Sequence, residues 1–224
     1  MLRWFTYGAT ERMSKMRMAA VCLCTATAAQ AEPVEILALG DSLTAGYGLR
    51  TEDGFVPKMQ AWLDAQGVDA QLVNAGVSGD TTAGGLSRVA WSLNEGTDAI
   101  MVALGGNDLL RGLAPSISRE NLKGILQVAQ DNDLDILVVG MEAPGNYGPE
   151  YKAEFDSMYA ELAETYDSLH FPTFFEGLMS VGETPAELRS VMQPDGIHPN
   201  AEGVDLIVKA MGPSVVKLVE RARD

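Results

Sequence analysis

The chain has 224 residues, 46% of them hydrophobic and 21% charged, and a formal net charge of −15 at pH 7. These proportions suit a soluble globular protein. Its acidity repels phosphate backbones and anionic bilayers, so neither nucleic-acid binding nor stable membrane insertion is expected.

The first 31 residues read as a leader. Arg12, Lys15 and Arg17 precede the apolar run that opens at Met18, and Ala29-Gln30-Ala31 supplies the small-x-small pattern after which a signal peptidase cuts. The run is too short to cross a bilayer, which takes roughly 20 residues. Met13, Met16 or Met18 would serve as the start as well as Met1, and the plainer alternative is an N-terminal helix that stays attached. Residues 1–31 are thus predicted to be a signal peptide and 32–224 a single domain, exported to the periplasm or beyond. Cys22 and Cys24 both fall in the leader. The exported protein then has no thiol, which excludes thiolate metal sites and cysteine nucleophiles.

Beyond the leader, apolar β-rich runs alternate with amphipathic stretches. A strand over Glu35–Leu39 is followed by a helix over Val56–Ala65, and a strand over Ala70–Val73 by a helix over Thr82–Trp91. The next pair is Ala99–Leu104 and Arg119–Asp131, the helix capped by Ser118. A strand over Ile136–Met141 leads to a helix over Glu150–Tyr166, where Tyr151, Phe155, Met158, Tyr159 and Leu162 recur at spacings of three and four and form one apolar stripe. The last strand is His170–Phe174, and a helix from about Ala201 to Arg221, capped by Asn200, closes the chain. Continuous apolar runs such as Ile136-Leu-Val-Val suit parallel strands covered on both faces. The alternation implies right-handed crossovers and a three-layer α/β/α sandwich, with ligands bound at the carboxyl ends of the strands. No repeat or sticky edge suggests assembly, and a monomer is expected.

The loops after the first three strands are polar and glycine-rich: Gly40-Asp-Ser-Leu-Thr, Asn74-Ala-Gly-Val-Ser-Gly-Asp-Thr-Thr and Gly105-Gly-Asn-Asp. A fourth, Asp195-Gly-Ile-His-Pro-Asn, precedes the last helix. The chain has two histidines, and His170, beside Phe171 at a strand start, reads as a packing or edge residue. His198 stands three residues after Asp195 and before Pro199, which biases it away from helix. A carboxylate at that spacing reaches the imidazole within one loop, accepts from Nδ1–H and stabilises the imidazolium. Taken alone, the pair reads more readily as an Asp-Gly turn beside an incidental histidine.

Ser42, directly after the first strand, is either a helix cap or a nucleophile. A nucleophile attacking a carbonyl needs donors for the developing oxyanion. The Ser42 backbone N–H, the N–H of Gly79 and the side-chain amide of Asn107 are candidates. Each also has a mundane reading, Gly79 as a turn residue and Asn107 as an Asx turn. The nucleophile elbow G-x-S-x-G does not occur, since Gly76-Val-Ser-Gly-Asp fails it at the last position, and Ser78 is not a candidate.

Taken together, Gly40-Asp-Ser-Leu, the Gly79 of Val77-Ser-Gly-Asp, Gly105-Gly-Asn-Asp and Asp195-Gly-Ile-His resemble, in order, the four blocks of the SGNH (GDSL) hydrolase superfamily. Longer stretches, among them Leu104–Gly112 and Pro144-Gly-Asn-Tyr-Gly, are similar to its periplasmic acyl thioesterase, lysophospholipase and arylesterase group. The resemblance runs from Val34 to the C-terminus. It implies a five-stranded parallel sheet of flavodoxin-like order and no metal or other cofactor. It also implies Ser42 as nucleophile, Asp195 with His198 as the base pair, and Ser42, Gly79 and Asn107 as the oxyanion hole. Leu109–Ser116, which contains Leu110, Arg111 and Leu113, resembles that group's mobile substrate loop, and Asn146-Tyr147 resembles part of its acyl-binding wall.

The expected activity is hydrolysis of carboxylic (thio)esters, such as aryl or short-to-medium acyl esters or lysophospholipids, through an acyl-Ser42 intermediate. A carbohydrate O-deacetylase would use the same four blocks. Leu109, Leu110, Leu113, Pro144, Tyr147 and Met192 would give an apolar wall and favour acyl or aryl groups. Two further readings are a flavodoxin-like module binding a phosphorylated ligand and a phosphotransferase using Asp41. The first lacks a G-x-G-x-x-G or G-x-x-x-x-G-K signature, and the second leaves the Asp195–His198 pair without a purpose.

Overall fold

The computed structural model describes residues 1, 2, 4, 32–182 and 184–224, which fall into two units, 1–32 and 33–224. The expected leader lies almost wholly outside the described residues. No helix among the described residues is long and apolar enough to cross a membrane.

The second unit is built on five strands: β1 (Val34–Gly40), β2 (Ala70–Gly76), β3 (Thr97–Ala103), β4 (Asp135–Val139) and β5 (Leu169–Phe171). They lie in the order β2-β1-β3-β4-β5, every pairing parallel, as the flavodoxin-like expectation has it. Among the described residues six α-helices lie between the strands, α1 (Ser42–Ala45), α2 (Phe55–Ala65), α3 (Thr82–Ser92), α4 (Gly106–Leu110), α5 (Pro115–Asp131) and α6 (Pro149–Thr165), and α7 (Ala201–Arg221) follows them. α2 and α7 pack together on one face, while α3, α5 and α6 pack side by side on the other. That is the arrangement right-handed crossovers impose when the chain steps from β1 out to β2 and then back across to β3.

The central strands are buried on both faces. Ile36, Leu37 and Leu39 of β1 and Ile100 and Met101 of β3 are essentially inaccessible, and each such side chain contributes about 1.5–3 kcal/mol of burial. Phe155, Met158, Tyr159 and Leu162 form the buried stripe of α6. Register decides where the polar loops emerge. Gly40 pairs with Gly76 in one ladder and with Ala103 in the other, so β1, β2 and β3 end level with one another. The strand order reverses between these three, and a crevice opens beyond their carboxyl ends. At Gly76 a Cβ would lie 2.3 Å from the Ala45 nitrogen, so glycine there lets α1 sit directly on the end of β2.

Three expectations need correction. The helix expected from Arg119 begins at Pro115, whose fixed φ and missing N–H suit the first helical position. Ser118 is therefore inside α5 rather than at its cap, and its hydroxyl donates to Asp108 Oδ1 at 3.0 Å. β5 stops at Phe171 instead of Phe174. Pro172 has no N–H for the ladder, and the Phe174 N–H turns to the Gly140 carbonyl at 2.9 Å. Asn200 does cap α7, accepting from the Gly203 N–H.

Candidate active site

Ser42 is the first residue of α1, where helical amides lack an intrahelical acceptor. Asp41 caps that helix, its Oδ1 accepting from the Leu43 N–H at 3.0 Å. The loop ahead of α7 brings a base to the serine. Asp195 Oδ1 accepts from the backbone N–H groups of Ile197 (2.9 Å) and His198 (3.0 Å), which winds Asp195–His198 into a tight turn. Asp195 Oδ2 then meets His198 Nδ1 at 2.7 Å, and His198 Nε2 lies 2.8 Å from Ser42 Oγ. The bond from His198 and the two backbone bonds hold the Asp195 carboxyl down at about 2.

The candidate oxyanion donors gather on the same side. Gly79 occupies the third position of a turn in which the Asp80 N–H donates to the Val77 carbonyl at 3.0 Å. Its φ of 84° is the mark of a type II turn. This conformation sets the face on which the Ser78–Gly79 peptide presents its N–H. Asn107 is the second residue of α4, and its Nδ2 donates to Asp41 Oδ2 at 3.2 Å. Ser42, Gly79, Asn107 and His198 all line one cavity of about 650 Å³. Much of its remaining wall is apolar: Leu109, Leu110, Met141, Pro144, Phe175, Leu178, Leu188, Met192 and Ile197.

A family model for GDSL-like lipases and acylhydrolases matches residues 38–206. The chain belongs to the GDSL-like lipase/acylhydrolase family. Esterase TesA of Pseudomonas aeruginosa is 37% identical over 191 residues, 85% of this chain and 92% of that protein. The Escherichia coli protein named thioesterase 1/protease 1/lysophospholipase L1 is 33% identical over 185 residues, 82% of this chain and 84% of its own. The crystal structure of AlinE4, an SGNH-hydrolase family esterase, is 44% identical with a TM-score of 0.67, across 84% of this chain and 97% of that one. This GDSL-like chain is a carboxylic ester hydrolase.

Not every residue singled out from the sequence reaches the cavity. Leu113, Asn146, Tyr147 and Arg111 are not on its wall. The Leu113 carbonyl instead accepts from the Tyr151 hydroxyl at 2.8 Å, and the Tyr147 ring packs on Tyr151 with centroids 5.0 Å apart. Arg111 Nη2 donates to the Gly79 carbonyl at 2.8 Å, so it touches an oxyanion candidate from outside. The segment expected as a substrate loop is in part helical, since it spans the end of α4 and the start of α5.

Other residues were not anticipated. Phe175, Leu178 and Leu188 come from irregular and 3-10 segments between β5 and α7, where no periodicity marks an apolar residue as inward-facing. Tyr47 packs against the imidazole of His198, ring centroids 4.7 Å apart. Gln193 Nε2 donates to the Tyr47 and Pro199 carbonyls at 2.8 and 3.0 Å, tying the histidine loop to the segment that follows α1. Asp41 is 2% exposed. Burial pushes its carboxyl up to about 6, although the bonds from Leu43 and Asn107 pull the other way.

Proposed function

We propose that this hydrolase cleaves uncharged carboxylic esters with apolar acyl or aryl groups by two-step acyl transfer through Ser42. His198 Nε2 takes the hydroxyl proton as Oγ attacks the acyl carbonyl. Asp195 accepts from Nδ1–H, keeps the imidazole in the reactive tautomer and stabilises the imidazolium. The oxyanion receives hydrogen bonds from the Ser42 and Gly79 N–H groups and from Asn107 Nδ2. His198 then protonates the departing alcohol, and water attacks the acyl-serine with His198 again as base.

The observation that carries this reading is the unbroken chain from Asp195 Oδ2 to His198 Nδ1 (2.7 Å) and from His198 Nε2 to Ser42 Oγ (2.8 Å) at the wall of an apolar cavity. The wall favours acyl chains over the polar ring of an acetylated sugar. It would accommodate a thioester or a lysophospholipid chain as well as an ester.

Two measurements test it. A fluorophosphonate should label Ser42 stoichiometrically and abolish turnover. A panel of p-nitrophenyl esters from acetate to palmitate, run beside a lysophospholipid and an acetylated sugar, should show kcat/KM rising from acetate into the medium chain lengths. Labelling elsewhere, or activity confined to the sugar, would overturn the reading.

Residues 1–31 are proposed to be removed on export, leaving 32–224 as one monomeric domain. The basic stretch followed by an apolar run and Ala29-Gln30-Ala31 supports this. N-terminal sequencing of the protein from cell fractions, with its elution volume on gel filtration, tests both statements.

A further inference from the structure

One buried side chain joins the carboxyl ends of β1 and β2. Arg88, on the inner face of α3, is 7% exposed. Its Nε donates to Asp80 Oδ2 at 2.7 Å, its Nη1 to the Ala75 carbonyl at 2.7 Å and its Nη2 to the Gly40 carbonyl at 2.9 Å. Gly40 is two residues before Ser42, and Asp80 is the residue after Gly79. The Gly40 carbonyl also accepts from the Val77 N–H at 3.0 Å. A single planar fork thus grips the roots of the two loops that carry the Ser42 and Gly79 amides.

Stability alone is a poor account of this pair. Taking an arginine and an aspartate out of water costs much of what their attraction returns, and apolar replacements of buried pairs are often neutral. Direction is what the guanidinium adds, because its donors sit at fixed angles in one plane. The two carbonyls it reaches belong to the last residues of the β1–β2 ladder, where the Val77 N–H to the Gly40 carbonyl is the final backbone bond between the two strands.

We propose that Arg88 is a positioning residue for ester hydrolysis, holding the Ser42 and Gly79 amides at the separation that the oxyanion requires. This rests on the reading that those two N–H groups receive the oxyanion. Arg88 touches no reacting atom. It acts through Gly40 and Asp80, while Arg111 steadies the outer side of Gly79.

The test compares Arg88→Lys with the full-length wild-type enzyme, each corrected for active sites by fluorophosphonate titration. Lysine keeps the charge and loses the fork. Displacing a reacting geometry by about 1 Å can cost 10²-fold, so kcat should fall roughly 10–100-fold with KM within about twofold. A phenylboronic acid supplies a second readout. Its boron bonds to Ser42 Oγ, the hydroxyl proton passes to His198, and the tetrahedral anion places an oxygen among the oxyanion donors. Its Ki should rise by the same factor as kcat falls, while the Ki of a medium-chain alcohol that only fills the cavity stays put. Asp80→Asn, which loosens one prong, should move both readouts the same way by less, and it decides the matter if Arg88→Lys is insoluble. Wild-type kcat per titrated site, or a kcat loss with unchanged boronate Ki, overturns the proposal while leaving Ser42 as nucleophile. A wild-type enzyme that neither labels at Ser42 nor binds the boronate overturns both.

Discussion

Asn107 Nδ2 donates to Oδ2 of Asp41, so the residue immediately before the candidate nucleophile holds the side chain of a candidate oxyanion donor. The carboxylate doing this is itself almost inaccessible. Its folded pKa of about 6 against an ordinary 3.8 means that the folded state binds a proton more readily than the unfolded chain. Stability therefore falls as pH rises from 3.8 to 6 and stays lower above that window, by up to about 3 kcal/mol. Asp41→Asn mimics the neutral form. It should raise Tm by several degrees at pH 8 and leave it nearly unchanged at pH 4, as scanning calorimetry at the two pH values would show. The new amide cannot accept from both Leu43 and Asn107, so kcat should drop about tenfold as stability rises. Equal Tm shifts at both pH values would show that Asp41 does not titrate in this way.

Removing the donor itself is more severe. Asn107→Ala should lower kcat roughly 10²–10³-fold with a much smaller change in KM, since the amide is needed most when the carbonyl oxygen becomes an anion. Steady-state kinetics on a soluble p-nitrophenyl ester measures the split. A loss appearing mainly in KM would make Asn107 a ground-state contact instead.

Gly79 tests the turn rather than the donor. A Cβ there would meet nothing within 4 Å, so Gly79→Ala introduces no clash and only the strain of a positive φ. That strain is about 1–2 kcal/mol, which a relaxation of the turn toward type I would relieve by rotating the Ser78–Gly79 peptide. The expected result is a near-normal Tm with kcat reduced at least tenfold. Retained kcat would mean that the N–H of residue 79 takes no part.

Much of this arrangement was legible in the sequence, and for identifiable reasons. Ser42, Asn107 and the Asp195–His198 pair stand shortly after strands or before a capped helix, where the strand–helix alternation places a crevice. The five strands were readable because parallel strands buried on both faces leave unbroken apolar runs. Their ends were not, since β2 continues to Gly76 through pairing with β1 and β5 is cut short by Pro172. α5 starts at Pro115, four residues before the expected Arg119, and α6 at Pro149, one before the expected Glu150, since the apolar period that reveals a helix begins only after the proline at its first position. The cavity wall from Phe175 to Leu188 left no signal, since irregular chain has no period to betray which side faces inward. Nothing in the sequence marks Arg88; only the tertiary fold shows that two of its acceptors are carbonyls at the ends of β1 and β2 and the third is the carboxylate of Asp80.

Asp195 governs the pH profile through His198. Its carboxyl is held near 2, so it stays ionised through the range in which an imidazole ordinarily titrates. kcat/KM should then fall at acid pH without any contribution from Asp195, because protonated His198 cannot accept the Ser42 proton. Asp195→Asn removes the negative acceptor at Nδ1 and permits the unreactive tautomer. kcat should fall by roughly 10³-fold or more. A pH–rate series on both proteins tests this, and an acid limb absent from wild type down to pH 4 would remove histidine as the base.

Glu142 should give the cavity a charge preference. It is exposed and lines the same cavity as Ser42 and His198, whereas Asp41, the other carboxylate among the described lining residues, is buried. Two unit charges roughly 8 Å apart in a water-like medium interact by about 0.5 kcal/mol, and less screening in a cleft increases this. Esters whose acyl chain ends in a carboxylate, such as a hemisuccinate, should therefore be cleaved more slowly than the matched neutral butyrate. Glu142→Gln should improve the hemisuccinate-to-butyrate ratio of kcat/KM about two- to fivefold, and Glu142→Lys should improve it further. Both gains should shrink in 0.5 M salt, where the screening length is well below 10 Å. A ratio that Glu142→Lys leaves unchanged at low salt would show that the acyl chain enters away from Glu142.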